Sequence, residues 1–221
     1  MKHALSDYKT LVFDCDGVVL NSNRVKTNAF YKAALPYGEA AAEALVEYHV
    51  RHGGISRYRK FAHFLESIVK PEQSGPTLEE LLKRYADNVC DGLMSCKISP
   101  DLERLKEATA SSRWLIVSGG DQTELRRVFT ARGIDHFFDG GIFGSPNSKD
   151  EILNRELTTG NIQQPALFLG DSKYDYQASS AAGLDFVFLT GWTEMVNYDT
   201  WVSNENLTSA INLGVFTDLY S

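Results

Sequence analysis

The chain has 221 residues, of which 43% are hydrophobic and 23% charged, so it can bury one large core or two modest ones. A formal net charge of −7 and a sequence pI near 5.3 argue against a general attraction to nucleic acid or an anionic membrane. No apolar run approaches the ~20 residues that span a bilayer, and the first residues show no signal segment. Three irregularly spaced cysteines are too few for a disulfide framework, so we expect a protein of the reducing cytoplasm.

Four short apolar runs, each followed by polar residues or glycine, predict buried strands. The first is Thr10–Phe13, which leads into the acidic segment Asp14-Cys15-Asp16-Gly17. Similar runs occupy 114–117, 166–169 and 186–189, with a weaker candidate at 141–143. Helix signals separate the runs, and the predicted helices begin at Ser99-Pro100, Asp121, Ser148 and Tyr174. Alternating strands and helices imply an α/β protein whose parallel sheet is covered on both faces.

The residues between the first two predicted strands are helical throughout. Their pattern predicts helices at about 23–35, 39–51, 56–69 and 78–94, interrupted by proline and glycine. We therefore predict a Rossmann-like core, residues 1–17 and 99–221, with an inserted all-helical domain, residues 18–98. Residues 191–221 give weak signals, although 206–213 are expected to form a closing helix.

Two carboxylates follow the first strand. Asp14 and Asp16 occupy positions i and i+2, so their side chains point the same way and meet in a small volume. Like charges so close need a cation or a proton, and Mg²⁺ is suitable because it prefers oxygen ligands. A solvated strand end is the alternative for an isolated pair of this kind. Cys15, between the two acids, is expected to point into the core.

A second acidic pair favours the metal. Gly170-Asp171-Ser172-Lys173-Tyr174-Asp175 follows another predicted strand and supplies two more carboxylates. Asp175 alone is compatible with an ordinary acid at a helix N-terminus, but four acids at two parallel strand ends need positive partners. The pattern therefore predicts a metal site at the carboxyl edge of the sheet, where Ser118 also falls.

Four motifs in this order resemble those of the haloacid dehalogenase superfamily, in the branch with a helical cap inserted after the first motif. They are Asp14-x-Asp16-Gly17, Ser118 after a strand, Lys149, and Gly170-Asp171 with Asp175. The similarity extends over residues 9–190. Each motif is weak alone, whereas the ordered set is highly specific. The branch includes phosphoglycolate phosphatases and β-phosphoglucomutases.

The resemblance implies a role for each matching residue. Asp14 is expected to be the nucleophile that accepts the phosphoryl group, and Asp16 the acid that protonates the leaving oxygen and then activates water. Ser118 and Lys149 would hold the transferring oxygens. The implied Mg²⁺ ligands are the Asp14 carboxylate, the Asp16 carbonyl and Asp171, with Asp175 supporting or joining them.

Asp16 also separates two chemistries within the superfamily. A halide leaving group needs no proton donor, whereas an alkoxide does, so a carboxylate here favours phosphate chemistry over dehalogenation. Gly119 departs from the pattern because many relatives place asparagine after the serine, so backbone N–H groups or a cap residue would contact the substrate instead. Asn21 stands where an acid is common and is interpreted as a hinge variation. Lys173 rivals Lys149 but is interpreted as balancing the neighbouring acids.

The most concentrated basic segment is 51–60, which joins two predicted cap helices through a pair of glycines. In capped relatives the corresponding loop often reaches over the active site. Arg51, His52 and Arg57 are therefore candidates for binding a carboxylate, sugar hydroxyls or a second phosphate. The alternative is that these cations cover a solvated helix face, the commoner fate of such residues. His49 is expected to pack between helices.

These features predict a Mg²⁺-dependent phosphatase for a small phosphorylated metabolite, of the phosphoglycolate or sugar phosphate type, that acts through an aspartyl-phosphate. A phosphosugar mutase with the same core residues is the alternative, and no mutase-specific pattern is evident. A non-catalytic binding module on this fold would be expected to lack Asp14, Asp16 or Lys149, and all three are present. Neither nucleic acid nor a membrane is an expected partner, and monomer and homodimer both stay open.

Overall fold

Within residues 3–220, the part of the chain that the computed structural model describes, six strands form one parallel sheet. They are β1 (Thr10–Phe13), β2 (Arg113–Asp121), β3 (Gly141–Ser145), β4 (Ala166–Gly170), β5 (Asp185–Leu189) and β6 (Thr208–Ala210). Their order is β3-β2-β1-β4-β5-β6, which is the order of a Rossmann-like sheet. The five predicted strands and the α/β fold class are confirmed. Ligands of such sheets bind where the order reverses, next to β1.

Helices fill the intervals between the strands. The stretch between β1 and β2 contains α1 (Asn23–Ala34), α2 (Glu39–Arg51), α3 (Arg57–His63), which continues into a π-helical turn (Phe64–Ile68), and α4 (Leu78–Ser95). The later helices are α5 (Leu102–Ala108), α6 (Gln122–Ala131), α7 (Lys149–Thr158), α8 (Lys173–Ala181), α9 (Tyr198–Asn204) and α10 (Leu213–Tyr220). The four helices predicted between the first two strands are present. Across residues 3–220, every helix is too short or too polar to cross a membrane.

Side-chain caps fix where several helices begin. Thr77 and Ser148 form the predicted capping boxes, in which each hydroxyl accepts from the third backbone N–H of its helix. Asp121 accepts from the N–H of Glu124 at 2.9 Å and caps α6 in the same way. Such caps satisfy backbone donors that would otherwise have no partner. The cap at Ser148 sets the position of α7, and hence of Lys149.

The sheet is buried on both faces. Leu11 and Phe13 of β1 pack into one hydrophobic cluster, while Val12 packs into the cluster on the opposite face. This explains why the strand sequences are continuous apolar runs and do not alternate between apolar and polar residues. Cys15 is fully buried in the same cluster as Phe13, as predicted, and its thiol is free. The segment that carries Asp14 and Asp16 therefore follows a strand that is held in place by packing on both of its faces.

The helical insertion has its own aromatic centre. The ring of Phe30 in α1 lies 5.1 Å from that of Phe61 and 4.5 Å from that of Tyr85. The two chain connections that lead into and out of the insertion pair with each other, through a bridge between Leu20 and Ile98. The insertion thus leaves and rejoins the core at one place. Its division from the core as a separate cap domain stays a prediction.

Two sequence expectations differ from the structure. Ser99-Pro100 does not begin a helix, because α5 starts at Leu102, after Asp101 adopts a left-handed conformation with φ of 63°. Residues 206–213 do not form the expected closing helix, since they contain β6. The terminal helix instead begins at Leu213, and α9 was not predicted at all. Short elements near the sheet edge carry little periodic signal, which explains both misses.

Candidate active site

Four of the predicted site residues lie at the carboxyl edge of the sheet. Asp14 follows β1 and Asp171 follows β4, and these two strands are hydrogen-bonded neighbours. Ser118 lies in β2, on the other side of β1, and Lys149 is the first residue of α7. All four are 6% exposed or less. The parallel topology thus brings together four distant parts of the chain.

Lys149 lies at the centre of this cluster. Its Nζ atom is 2.8 Å from Asp14 Oδ1 and is also ion-paired with Asp175 Oδ1. Burial alone would lower the pKa of Lys149, but the charges of Asp14 and Asp175 raise it above its ordinary value, so the lysine stays protonated. Among residues 3–220, the ion pair with Lys149 is the only polar contact of the buried Asp14 Oδ1 atom, so the oxygen can accept an additional partner.

The first turn of α8 holds Asp175 in place. Its Oδ2 atom accepts from the backbone N–H groups of Asp171 and Ser172, at 3.2 and 3.0 Å, and from the Ser172 hydroxyl at 2.7 Å. Ser172 and Asp175 form a capping box, and the carboxylate also suits the positive end of the helix dipole. Both oxygens of Asp175 are engaged, so this residue orients Lys149 and the backbone that carries Asp171.

Three of these acids can share a metal ion. Oxygens of Asp14, Asp171 and Asp175 lie within 4.8 Å of one another. Burial, together with the neighbouring carboxylates, raises the pKa of Asp14 to about 7, although Lys149 opposes the rise. Burial and the charges of Asp14 and Asp175 raise the pKa of Asp171 well above its ordinary value. One lysine does not neutralise three acids. The oxygen-only donor set, in which Asp14 Oδ1 has no hydrogen bond besides its ion pair with Lys149, fits a hard divalent cation.

The carboxylate of Asp16 lies outside that group of three. It is ion-paired with Lys26 of α1 and accepts a hydrogen bond of 2.6 Å from the Ser22 hydroxyl. Burial would raise the pKa of Asp16, but the charge of Lys26 and the hydrogen bonds lower it below its ordinary value. Gly17 makes the turn possible, because its φ is +77° and a Cβ there would lie only 2.1 Å from Asp171 Oδ2. Ligation of a metal through the Asp16 carbonyl stays a prediction.

The loop after β5, which gave weak sequence signals, completes the site. The hydroxyl of Thr193 donates to the backbone carbonyl of Asp171 at 2.7 Å. Asn23, in the first turn of α1, donates both to Asp171 Oδ2 at 2.7 Å and to the carbonyl of Trp192 at 2.9 Å. Asn23 therefore links the helical insertion to two loops of the core.

A cavity of about 420 Å³ lies between the insertion and the carboxyl edge of the sheet. Its lining includes Asp14, Asp16 and Asp171 from the core and Lys26, His49 and Lys60 from the insertion. The insertion approaches the core closely at Gly119, where a Cβ would lie 2.2 Å from the carbonyl oxygen of Gly54. The absence of a side chain at 119 therefore makes room for the loop between α2 and α3.

The three basic residues predicted to bind substrate do line the cavity, but their polar groups have protein partners. Arg51 is exposed and pairs with Glu47, one turn earlier in α2. The ring of His52 stacks on Tyr48 at 4.2 Å. Arg57 is buried and donates to both oxygens of Glu124 in α6, at 3.0 and 3.2 Å. Arg57 thus ties the insertion to the core, and its role in binding substrate stays a prediction.

Sequence reasoning missed two lysines of the cavity wall. Lys26 and Lys60 are 8% and 1% exposed, although each lies in a helix that also carries exposed charge. The signal was helical spacing: Lys26 precedes the buried Phe30 by four residues, and Lys60 precedes the buried Phe64 by four. A lysine on the apolar stripe of a helix is a candidate functional cation. His49, expected to pack between helices, does contact Phe30, and it lines the cavity as well.

The fold and the cluster together define the class: a Rossmann-like α/β enzyme with an acid-rich site at the carboxyl edge of its sheet. Residues 8–183 match the family model of haloacid dehalogenase-like hydrolases, and the chain belongs to that family. The resemblance inferred from the four motifs is thereby confirmed. A comparison with curated proteins finds no match.

Solved structures with this fold cover almost the whole chain. A predicted phosphatase from Clostridium acetobutylicum is 16% identical, with a TM-score of 0.71 over 96% of this chain and 97% of that one. A predicted phosphoglycolate phosphatase from Haemophilus somnus is 20% identical, with a TM-score of 0.70 over 96% of each chain. CbbY from Rhodobacter sphaeroides, in complex with phosphate, is 17% identical, with a TM-score of 0.63 over 86% of this chain and 89% of that one. At these identities the likeness establishes the shared fold.

Proposed function

We propose that this chain is a Mg²⁺-dependent phosphatase that hydrolyses a small phosphorylated metabolite through an aspartyl-phosphate on Asp14. The observation that carries the proposal is the buried Asp14 carboxylate, which is ion-paired with Lys149 and lines the cavity beside Asp171. Membership of the hydrolase family supports hydrolysis, and the name of one similar structure supports a substrate of the phosphoglycolate type. A cavity of about 420 Å³ suits a small metabolite.

The first half of the reaction is transfer to Asp14. A carboxylate oxygen of Asp14 attacks phosphorus as the bond to the leaving oxygen breaks. Lys149 stays positive and stabilises the charge on the transferring oxygens, together with the Ser118 hydroxyl and the Gly119 N–H. Mg²⁺ would supply further charge neutralisation, and its proposed ligands are the carboxylates of Asp14 and Asp171 and the carbonyl of Asp16, with Asp175 in support.

The second half is hydrolysis, for which Asp16 is the base. Lys26 keeps Asp16 ionised in the arrangement described, and this is the form that takes a proton from water. Donating a proton to the leaving oxygen in the first half requires a higher pKa, so the contact with Lys26 has to weaken when substrate binds. Residues 18–98, which carry Lys26, would act as a mobile cap that excludes bulk water while the intermediate forms.

The test is phosphate release from a panel of phosphorylated metabolites, measured with Mg²⁺ and with chelator. We expect release that requires Mg²⁺ and that falls by at least about 10³-fold in Asp14→Asn, since the nucleophile is lost. Asp199→Asn, an exposed acid in α9, is the matched control and should keep full activity. Equal release by Asp14→Asn would contradict the proposal, and turnover that needs a sugar bisphosphate would identify a mutase instead.

A further inference from the structure

Lys60 is a buried cation that the proposed reaction does not use. It lies in α3 and is 1% exposed, and its Nζ atom has no ion pair with any acid among residues 3–220. The contacts of Nζ are with His49, at 2.6 Å to Nδ1 and 3.3 Å to the carbonyl oxygen. Lysine is almost never fully buried without an acidic partner, because an unpaired charge loses its hydration. Lys26, by contrast, is neutralised by Asp16.

The contact with Lys60 bears on the role of His49. A protonated Lys60 can only donate, so in that state Nδ1 of a neutral His49 accepts, and the imidazole carries its proton on Nε2 as a further N–H donor. Burial and the charge of Lys60 hold the pKa of His49 well below its ordinary value, which favours this neutral form. Both residues line the cavity, and the ring of Phe30 lies 4.5 Å from His49 and 5.5 Å from Lys60 Nζ. An ammonium and an imidazole N–H beside an apolar ring form a receptor for an anion.

We propose that Lys60 and His49 bind a second anionic group of the substrate, a carboxylate or a second phosphate, while its phosphoryl group reacts at Asp14. This rests on the proposed phosphatase function. The arginines at the end of α2 and the start of α3 are less suited, because Arg51 and Arg57 already have carboxylate partners. The substrate class is therefore a phosphomonoester with a further negative charge, rather than a neutral sugar phosphate.

The charges around Lys60 make this recognition depend on pH. Burial and the charge of Lys26 lower the pKa of Lys60 to about 7, and bound anion would raise it again. The free lysine is protonated below pH 7 and loses its charge above it, so affinity for the second anionic group should fall as pH rises through 7. The titratable and charged groups that face it are His49 of α2, Lys26 of α1, Lys149 of α7, Asp16 and Glu194.

The experiment compares substrates that differ only in the second anionic group. One pair is phosphoglycolate and 2-hydroxyethyl phosphate, and the other is a pentose 1,5-bisphosphate and the matching 5-phosphate. We expect Lys60→Met to raise KM at least about tenfold for the charged member of the preferred pair and to change KM of the neutral member less than about threefold. The pair whose charged member responds to Lys60→Met shows whether the second anionic group is a carboxylate or a phosphate. Lys32→Met, an exposed lysine of α1, is the control.

A binding measurement separates recognition from folding. In the Asp14→Asn background, the charged substrate should raise the melting temperature, and Lys60→Met should abolish that rise without lowering the melting temperature of the free protein by a comparable amount. Equal KM changes for charged and neutral substrates would overturn the anion subsite and leave the phosphatase intact. Absence of phosphate release from every substrate, with binding preserved, would instead overturn the proposed function.

Discussion

Replacement of Asp14 by asparagine and replacement of Asp16 by asparagine should change the stability of the fold in opposite directions. In chelator, at pH 8, Asp14→Asn is expected to stabilise the fold. The pKa of Asp14 rises from its ordinary 3.8 to about 7, so ionising this carboxyl in the folded protein costs up to roughly 4 kcal/mol. Asparagine has nearly the same shape and carries no charge. Asp16→Asn should destabilise, because the pKa of Asp16 is lowered and Lys26 would lose its partner.

The sign of the pH dependence follows from proton linkage. The protonated form of Asp14 stabilises the fold fully below pH 4, and that contribution is lost as pH rises through 7. Wild type and Asp14→Asn should therefore be equally stable near pH 4 and differ most above pH 7. Allowing for relaxation of the folded protein, we expect the free energy of unfolding of Asp14→Asn to exceed that of wild type by about 2–4 kcal/mol at pH 8. This corresponds to a melting temperature higher by roughly 5–10 °C for a chain of this size.

The assay is thermal and urea unfolding of wild type, Asp14→Asn and Asp16→Asn at pH 5 and pH 8, with chelator and with Mg²⁺. Mg²⁺ should raise the melting temperature of wild type more than that of Asp14→Asn, since the cation stabilises the ionised carboxylate. A lower free energy of unfolding for Asp14→Asn than for wild type at pH 8 in chelator would refute this prediction. A difference between the two proteins that is the same at both pH values would refute it as well.

Two further predictions concern the contact between the insertion and the core. Gly119→Ala should lower kcat/KM at least about tenfold, because its Cβ would lie 2.2 Å from the Gly54 carbonyl oxygen and push the insertion away. Gly53→Ala should lower kcat/KM less, because its Cβ would lie 3.2 Å from Ser172 Cβ. Steady-state kinetics of the two variants would measure this difference, and an equal loss of kcat/KM in both would refute the prediction. Glu124→Gln should lower the free energy of unfolding by about 3 kcal/mol in urea titrations, since it leaves Arg57 buried without a charged partner. An unchanged midpoint would contradict that expectation.

Strong local signals made most of the core predictable. The strand Thr10–Phe13 was assigned with its observed bounds, because a strand buried on both faces reads as a continuous apolar run. The capping boxes at Thr77 and Ser148 were also visible, since both partners lie within four residues. The predicted parallel sheet put Asp14 and Asp171 at the same edge, and the observed pairing of β1 with β4 brings them side by side.

Contacts between distant segments were not predictable in this way. Nothing local to Arg57 indicates that Glu124 neutralises it, so the sequence offered a substrate contact or a solvated helix face for this residue, and not the tertiary ion pair that the structure shows. The role of Thr193 depends on a backbone carbonyl of Asp171, which carries no sequence signature. Lys60 had a signal, its place on an apolar helix face, but such a lysine is usually assigned to the surface.

The balance of charge around the cavity links the two proposals. Next to the reacting position, the carboxylates of Asp14, Asp171 and Asp175 share one lysine, Lys149. When ionised, this cluster carries an excess of negative charge, which repels a phosphomonoester dianion at short range. A divalent cation offsets that excess, whereas deprotonation of Lys60 removes a positive charge from the cavity wall. Substrate affinity in this acidic protein should therefore depend on the cation first, and the discrimination between substrates on the protonation of Lys60.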